Sequence, residues 1–174
     1  MGQTISAGEQ KFILHWGEMG TRWGISRAVA QIHAFLFIAD KPKNAQEISE
    51  ALSLARSNVS TGIRELESWG LVSVNHEMGD RRDYFKAIQD PWEMARVIVR
   101  ERMERELKPT LQFIDTLKAD SKNESAQFYR TLDNLKELLE TSNVFYSQVI
   151  KLPTVAIKQL LKFGKRMQAL LGVI

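Results

Sequence analysis

Apolar residues recur at a helical period along nearly the whole chain, and the pattern breaks in one place, between Gly70 and Ala87. There Leu71-Val-Ser-Val-Asn-His76 alternates as a strand, Glu77-Met-Gly-Asp-Arg-Arg-Asp83 reads as a polar turn containing glycine, and Tyr84-Phe-Lys-Ala87 reads as a second short strand. A β-hairpin with a charged tip is therefore set inside otherwise helical sequence. The chain is mainly α with one small β element.

The helices before the hairpin have a definite order. The first runs from about Gly8 to Met19, and Gly20 and Gly24 bracket a break. The second, from about Ser26 to Ala39, carries Val29, Ile32, Phe35, Leu36 and Ala39 on a broad apolar stripe. Asp40-Lys-Pro-Lys is a turn. Asn44 and Glu47 have the spacing of a capping box, which opens a short helix over about Ala45 to Leu52. After a tight turn at Ser53-Leu54, a fourth helix spans about Arg56 to Trp69 and ends at Gly70. Helix, short helix, tight turn, helix and hairpin is the order of a winged helix-turn-helix.

The fourth helix can be read by angle. Val59, Ile63 and Leu66 fall on one side and define its buried face. Ser57, Thr61, Arg64, Glu65 and Ser68 then face outward, flanked by Asn58 and Ser60. Gly62 lies beside the buried stripe, where a side chain would hold the preceding helix off. Short polar side chains on an exposed helix suit a major groove, and the helix N-terminus with Arg56 and Arg64 suits phosphates. The same residues would also serve as an ordinary solvated surface, and Glu65 favours that simpler reading. The hairpin tip carries Asp80, Arg81, Arg82 and Asp83. An arginine on a narrow tip can enter a minor groove while an aspartate holds its guanidinium in place. A charged turn that keeps an edge strand soluble is the alternative. Both elements together, in this order, point to double-stranded DNA.

These residues resemble a known family. Gly24-Ile-Ser-Arg-Ala-Val29, Ala45-Gln-Glu-Ile48, Ser57-Asn-Val-Ser-Thr-Gly-Ile-Arg-Glu-Leu-Glu67, Trp69-Gly-Leu-Val72, Gly79-Asp-Arg-Arg82 with Tyr84-Phe85, Asp90-Pro-Trp92, and Glu101-Arg102 with Arg105-Glu106 before Pro109 resemble MarR-type winged-helix transcriptional regulators, and among them the glycine betaine synthesis repressor branch. The resemblance covers residues 20–110. It implies that Ser57, Asn58, Ser60 and Thr61 read or approach bases and that Arg82, braced by Asp80, enters the minor groove. Two departures stand out. Ala55 occupies a position where such proteins often cap the recognition helix with Ser or Thr, and Ala30 and His33 replace glycines common early in the second helix of that branch.

Composition narrows the function classes. The 174 residues contain no cysteine, which removes disulfides, thiolate metal sites and cysteine nucleophiles. His15, His33 and His76 lie far apart and show no metal-ligand spacing; His15 and His33 read as hydrogen-bonded core or surface residues. No nucleophile–base pair, phosphate loop or metal cluster is legible, so an enzyme is not expected, nor a cofactor. There is no apolar run of membrane-spanning length and no secretory signal pattern, which makes a soluble cytoplasmic protein the expectation. The net charge of +3 is unevenly distributed: residues 41–88 balance to zero, whereas residues 150–174 carry five basic side chains and no acid.

After Asp90-Pro91 the helical period returns. Trp92, Ala95, Val99, Met103, Leu107, Leu111 and Ile114 mark a stripe that Pro109 should bend. Further helices are expected over about Glu124 to Ile150 and Thr154 to Leu171. One winged helix reads too few base pairs to select an operator, so two-fold pairing is expected. Trp92, Val99, Met103, Phe128, Leu132, Leu135, Leu139 and Phe145 would line the homodimer surface, with the first helix joining it. The basic tail, with Val155, Leu160, Phe163, Met167, Leu170 and Leu171 opposite its lysines, is expected to close that dimer, anionic membrane and flanking DNA being the alternatives. Phe12, Trp16, Trp23 and Trp92 are candidates for an aromatic box around a quaternary ammonium effector. The expected organisation is an N-terminal helix over residues 1–24, a DNA-binding domain over 25–89 and a helical dimerisation and effector region over 90–174. The expected function is a dimeric, ligand-responsive repressor that binds a palindromic operator. A winged helix used for protein interaction without DNA is the alternative, motivated by the zero net charge of residues 41–88.

Overall fold

The computed structural model describes residues 5–121 and 124–171. It divides into two compact units, residues 1–97 and 98–174. Within the described residues of the first unit lie helices α1 (Ala7–Arg22), α2 (Arg27–Ile38), α3 (Ala45–Leu52) and α4 (Arg56–Ser68), and strands β1 (Lys43–Asn44), β2 (Val72–His76) and β3 (Asp83–Ala87). Helix α5 (Pro91–Arg102) runs from the first unit into the second, which continues through α6 (Lys108–Asp120), α7 (Ala126–Val149) and α8 (Thr154–Leu171). The architecture is a winged helix-turn-helix with long helices after it.

Local chemistry sets most of the helix starts. Ser6 and Glu9 form a capping box at α1, and Ser26 accepts from the Val29 N–H at α2. At α3 the Asn44 Oδ1 accepts from the N–H groups of Gln46 and Glu47, and Glu47 accepts from the Asn44 N–H at 2.8 Å. Ser53 closes α3 in the left-handed region at φ 52°, and Gly70 follows α4 at φ 68°. Helix α4 starts at Ala55 with no side-chain cap, as the sequence indicated.

Helix α2 is the centre of the first unit. Val29, Ala30, Ile32, His33, Ala34, Phe35 and Leu36 are all buried on it, because it packs against α1, α3, α4 and β3. A helix buried on so many sides needs its neighbours close, and glycines provide the approach. A Cβ on Gly62 would stand 2.6 Å from Ile32 Cδ1, so the helix admitted by Gly62 is α2 rather than the immediately preceding α3. A Cβ on Gly20 would stand 2.3 Å from the Ala30 Cβ. Gly20 therefore does not break the first helix, which continues to Arg22; it is there for packing. Since Ala30 is fixed to its backbone and cannot swing aside, Gly20→Val should lower stability by about 2–3 kcal/mol. Gly8→Ala, whose Cβ meets nothing closer than 4.0 Å, should be neutral or mildly stabilising. Urea midpoints of the two variants check this, and equal midpoints would remove the packing argument.

The sheet has three strands rather than the expected two, in antiparallel order β1-β3-β2. Val74 pairs with Phe85 across the hairpin, while Lys43 and Asn44 pair with Phe85 and Tyr84 on the other side of β3. Two residues after a proline have no readable period, so β1 arises from tertiary pairing alone. The apolar phase of α5 also differs from expectation: Met94 and Val97 are buried, whereas Ala95 is exposed and Trp92 is 37% exposed.

In the second unit the helix irregularity lies one turn before Pro109. Met103–Leu107 form a π-helical turn, and the Lys108 N–H reaches back five residues to the Met103 carbonyl. Proline removes a donor and its ring crowds the carbonyl four residues earlier, so the widened turn falls on the N-terminal side. Ion pairs Lys118–Asp133 and Lys136–Asp115 tie α6 to α7, and the Tyr129 hydroxyl donates to the Ser121 carbonyl. Among the described residues no helix is long and apolar enough to cross a membrane. Of the apolar face expected for the tail, Met167, Leu170 and Leu171 lie outside the described side chains, while Val155, Leu160 and Phe163 are exposed.

Candidate nucleic-acid interface

Helix α4 is amphipathic in the phase read from the sequence. Val59, Ile63 and Leu66 are buried at 0%, 3% and 3% exposure, which turns the opposite face outward. Arg56, Ser57, Asn58, Ser60, Thr61 and Arg64 are all exposed on it. Among the described residues the side chains of Ser57, Asn58, Ser60 and Thr61 make no hydrogen bond, and the Arg64 Nε donates only to the Ser60 carbonyl at 3.4 Å. Four short donor–acceptor side chains thus project from the first two turns of an uncapped helix. Its N-terminal N–H groups keep their partial positive charge available.

The wing is more ordered than a charged turn requires. The Arg82 Nε donates to both Asp80 oxygens at 3.0 Å and its Nη2 to Oδ2 at 2.5 Å, while the Arg82 backbone N–H donates to Oδ1 at 2.9 Å. Hydrogen bonds from Arg82 hold the Asp80 carboxyl well below the usual carboxylate range, and Asp80 raises the Arg82 guanidinium above its ordinary value. Both stay charged at any pH of interest. Arg82 nevertheless keeps more than half of its side chain exposed, so the fork aims the guanidinium without covering it. Arg81 is exposed beside it. Two further residues belong to the wing and were not legible as such. Tyr84, on β3, bonds to both Asp80 and Arg82, and Asn44 lies opposite Tyr84 across the sheet. Their signal was hidden because the capping role of Asn44 and the strand role of Tyr84 each looked complete alone.

A MarR-family sequence profile matches residues 17–83. Residues 17–83 are a MarR-family domain. The chain is 24% identical over 127 residues to the HTH-type transcriptional repressor GbsR of Bacillus subtilis (strain 168), a match covering 66% of this chain and 70% of that protein. It is 23% identical over 163 residues to YvaV of the same organism, covering 81% and 92%. A crystal structure of a transcriptional regulator has the same fold, with a TM-score of 0.68 at 20% identity over 82% of this chain and 95% of the other. The winged-helix topology and the family assignment agree.

Around this MarR-family domain, the aromatic candidates form a ladder on α1 and α2. The Trp16 ring lies 5.4 Å from both Phe12 and Trp23 and 6.4 Å from His33, which stacks in turn on Phe37. Trp92 sits in the first turn of α5, its N–H capped by Asp90. None of the four lines the groove of about 360 Å³ formed by Gln10, Ile13, Leu14, Gln31 and Leu52. His33 is not the hydrogen-bonded core histidine expected: its Nε2 is buried without a hydrogen-bond partner among the described residues. Of the residues expected at a dimer surface, Met103 is buried within its own chain, Val99, Phe128, Leu132 and Leu139 are half-buried, and Leu135 and Phe145 are exposed at 40% and 61%.

Proposed function

We propose that the protein is a transcriptional regulator that binds double-stranded DNA sequence-specifically as a homodimer, with α4 in the major groove and Arg82 in the adjacent minor groove. The observation that carries this reading is the pairing, within one unit, of an unengaged polar face on α4 with a guanidinium aimed by Asp80. Ser57, Asn58, Ser60 and Thr61 approach base edges, and Arg56, Arg64 and Arg81 contact phosphates. Two copies give a palindromic operator whose half-sites are set by the spacing of the two recognition helices. Similarity to a protein named as a repressor supports repression, and localisation in the cytoplasm follows from that role. An effector would act by changing the spacing of the recognition helices. A quaternary ammonium osmolyte is the class to test first, and Trp16 would have to part from Phe12 or Trp23 to receive it. The N-terminal helix and the helices after residue 90 would supply the dimer surface, with Leu135 and Phe145 at its most exposed points.

Selection of duplexes from random sequence, followed by gel shift and sedimentation, tests the proposal. A two-fold symmetric site, a dimer in solution and affinity falling by about 10³ to 10⁵ between 50 and 200 mM salt are expected for a complex with roughly 6–10 phosphate contacts. No enriched sequence and a flat salt response would instead favour the protein-interaction reading that the balanced charge of residues 41–88 suggests.

A further inference from the structure

Asp80 and Arg82 are both residues of the wing tip, two positions apart, so their ion pair alone travels with the loop. Something must fix that pair to the body of the domain if Arg82 is to reach a set depth. Tyr84 does so. Its hydroxyl donates to Asp80 Oδ2 at 2.9 Å and accepts from Arg82 Nη2 at 2.9 Å. A phenol has one hydrogen to give and two positions to accept, and the hydrogen and one of those positions serve the wing tip. The Arg82 guanidinium carbon also stands 5.6 Å from the centre of the Tyr84 ring.

The far end of this chain of contacts is rigid. Tyr84 lies on the central strand, is 8% exposed and pairs with Asn44 on one side and Asn75 on the other. Asn44 is 4% exposed, and its Oδ1 is held by two backbone N–H groups as the cap of α3. Resting on the DNA-binding reading above, we infer that Tyr84 is a positioning residue, which ties the Asp80–Arg82 fork to the central strand, beside the cap of α3, and so sets where Arg82 meets DNA relative to the helix-turn-helix. Its ring serves the core, whereas its hydroxyl serves the wing.

The two roles separate experimentally. Tyr84→Phe keeps the ring and removes the hydroxyl. It is combined with Arg82→Ala, and affinity for a duplex selected by the wild-type chain is measured together with the thermal midpoint. Loss of a hydrogen bond to a charged group corresponds to about a 10- to 100-fold loss of affinity in Tyr84→Phe. That loss should vanish in the Arg82→Ala background, because a residue acting through Arg82 has nothing left to position. The thermal midpoint of Tyr84→Phe should stay near that of the wild type, since the ring keeps its place in the core. Wild-type affinity in Tyr84→Phe, or an equal loss in both backgrounds, overturns the inference. If Arg82→Ala itself binds as tightly as wild type, the failure lies in the wing-contact reading beneath it.

Discussion

Replacing Arg82 with alanine is expected to weaken operator binding by about 10- to 1,000-fold, since a symmetric complex loses a minor-groove contact at both wings. The size of the effect follows from how the side chain is prepared. Asp80 and Tyr84 hold the guanidinium in one arrangement before DNA arrives, so little rotamer freedom remains to be lost on binding. The alanine variant should also relax the preference for narrow, A·T-rich sequence at the wing positions while leaving the central bases of each half-site unchanged. Asn58→Ala should do the opposite, weakening binding less and relaxing choice at one major-groove position. Fluorescence anisotropy with duplexes altered at each position distinguishes the two patterns. If neither variant changes affinity or preference, the exposed face of α4 and the wing tip are only solvated surface.

Lowering the pH from 6.5 to 4 is expected to remove about 3 kcal/mol of stability through His33 alone. Burial among Trp16 and Phe37 on α2 depresses its pKa from 6.5 to about 4. Between those values the unfolded chain binds a proton that the folded chain refuses, so acid favours unfolding. The contribution is complete above pH 6.5 and is lost as pH falls toward 4. His33→Leu keeps an apolar group of similar size and removes the titration. Its thermal midpoint should therefore vary less with pH across this window than that of the wild type, and it should match or exceed the wild type at pH 5. Parallel pH profiles for the two proteins would show that His33 is solvated or hydrogen-bonded in solution.

Features that depend on neighbours in sequence were legible without coordinates. Asn44 and Glu47 are three residues apart and formed both halves of their capping box. Val59, Ile63 and Leu66 share a face at any helical period, and that face is the buried one, so the outward direction of Asn58 followed from the sequence. Asp80 and Arg82 sit on one turn, close enough to pair whatever the rest of the chain does. Features that depend on distant partners were not legible. Gly20 looked like a breaker until Ala30 stood against it, and Lys43 looked like part of a turn and Asn44 like a cap alone until β3 lay beside them. In α5 both candidate phases contained enough apolar residues to serve, and only packing chose Met94 and Val97 over Trp92 and Ala95.

The amino-acid order by itself therefore determined the helix-turn-helix, its outward face and the charged tip of the wing. Each of these is set by interactions within about one or two helical turns or within one tight loop, where chain connectivity already brings the groups together. The tertiary structure alone decided that His33 is buried with an unpaired nitrogen and that Tyr84 joins the wing to the strand pairing beside the cap of α3. These depend on residues 17 and 40 positions apart, the separations of Trp16 from His33 and of Asn44 from Tyr84, and no local rule selects one distant partner from many. Burial and strand pairing make that selection, because they act on the whole core at once.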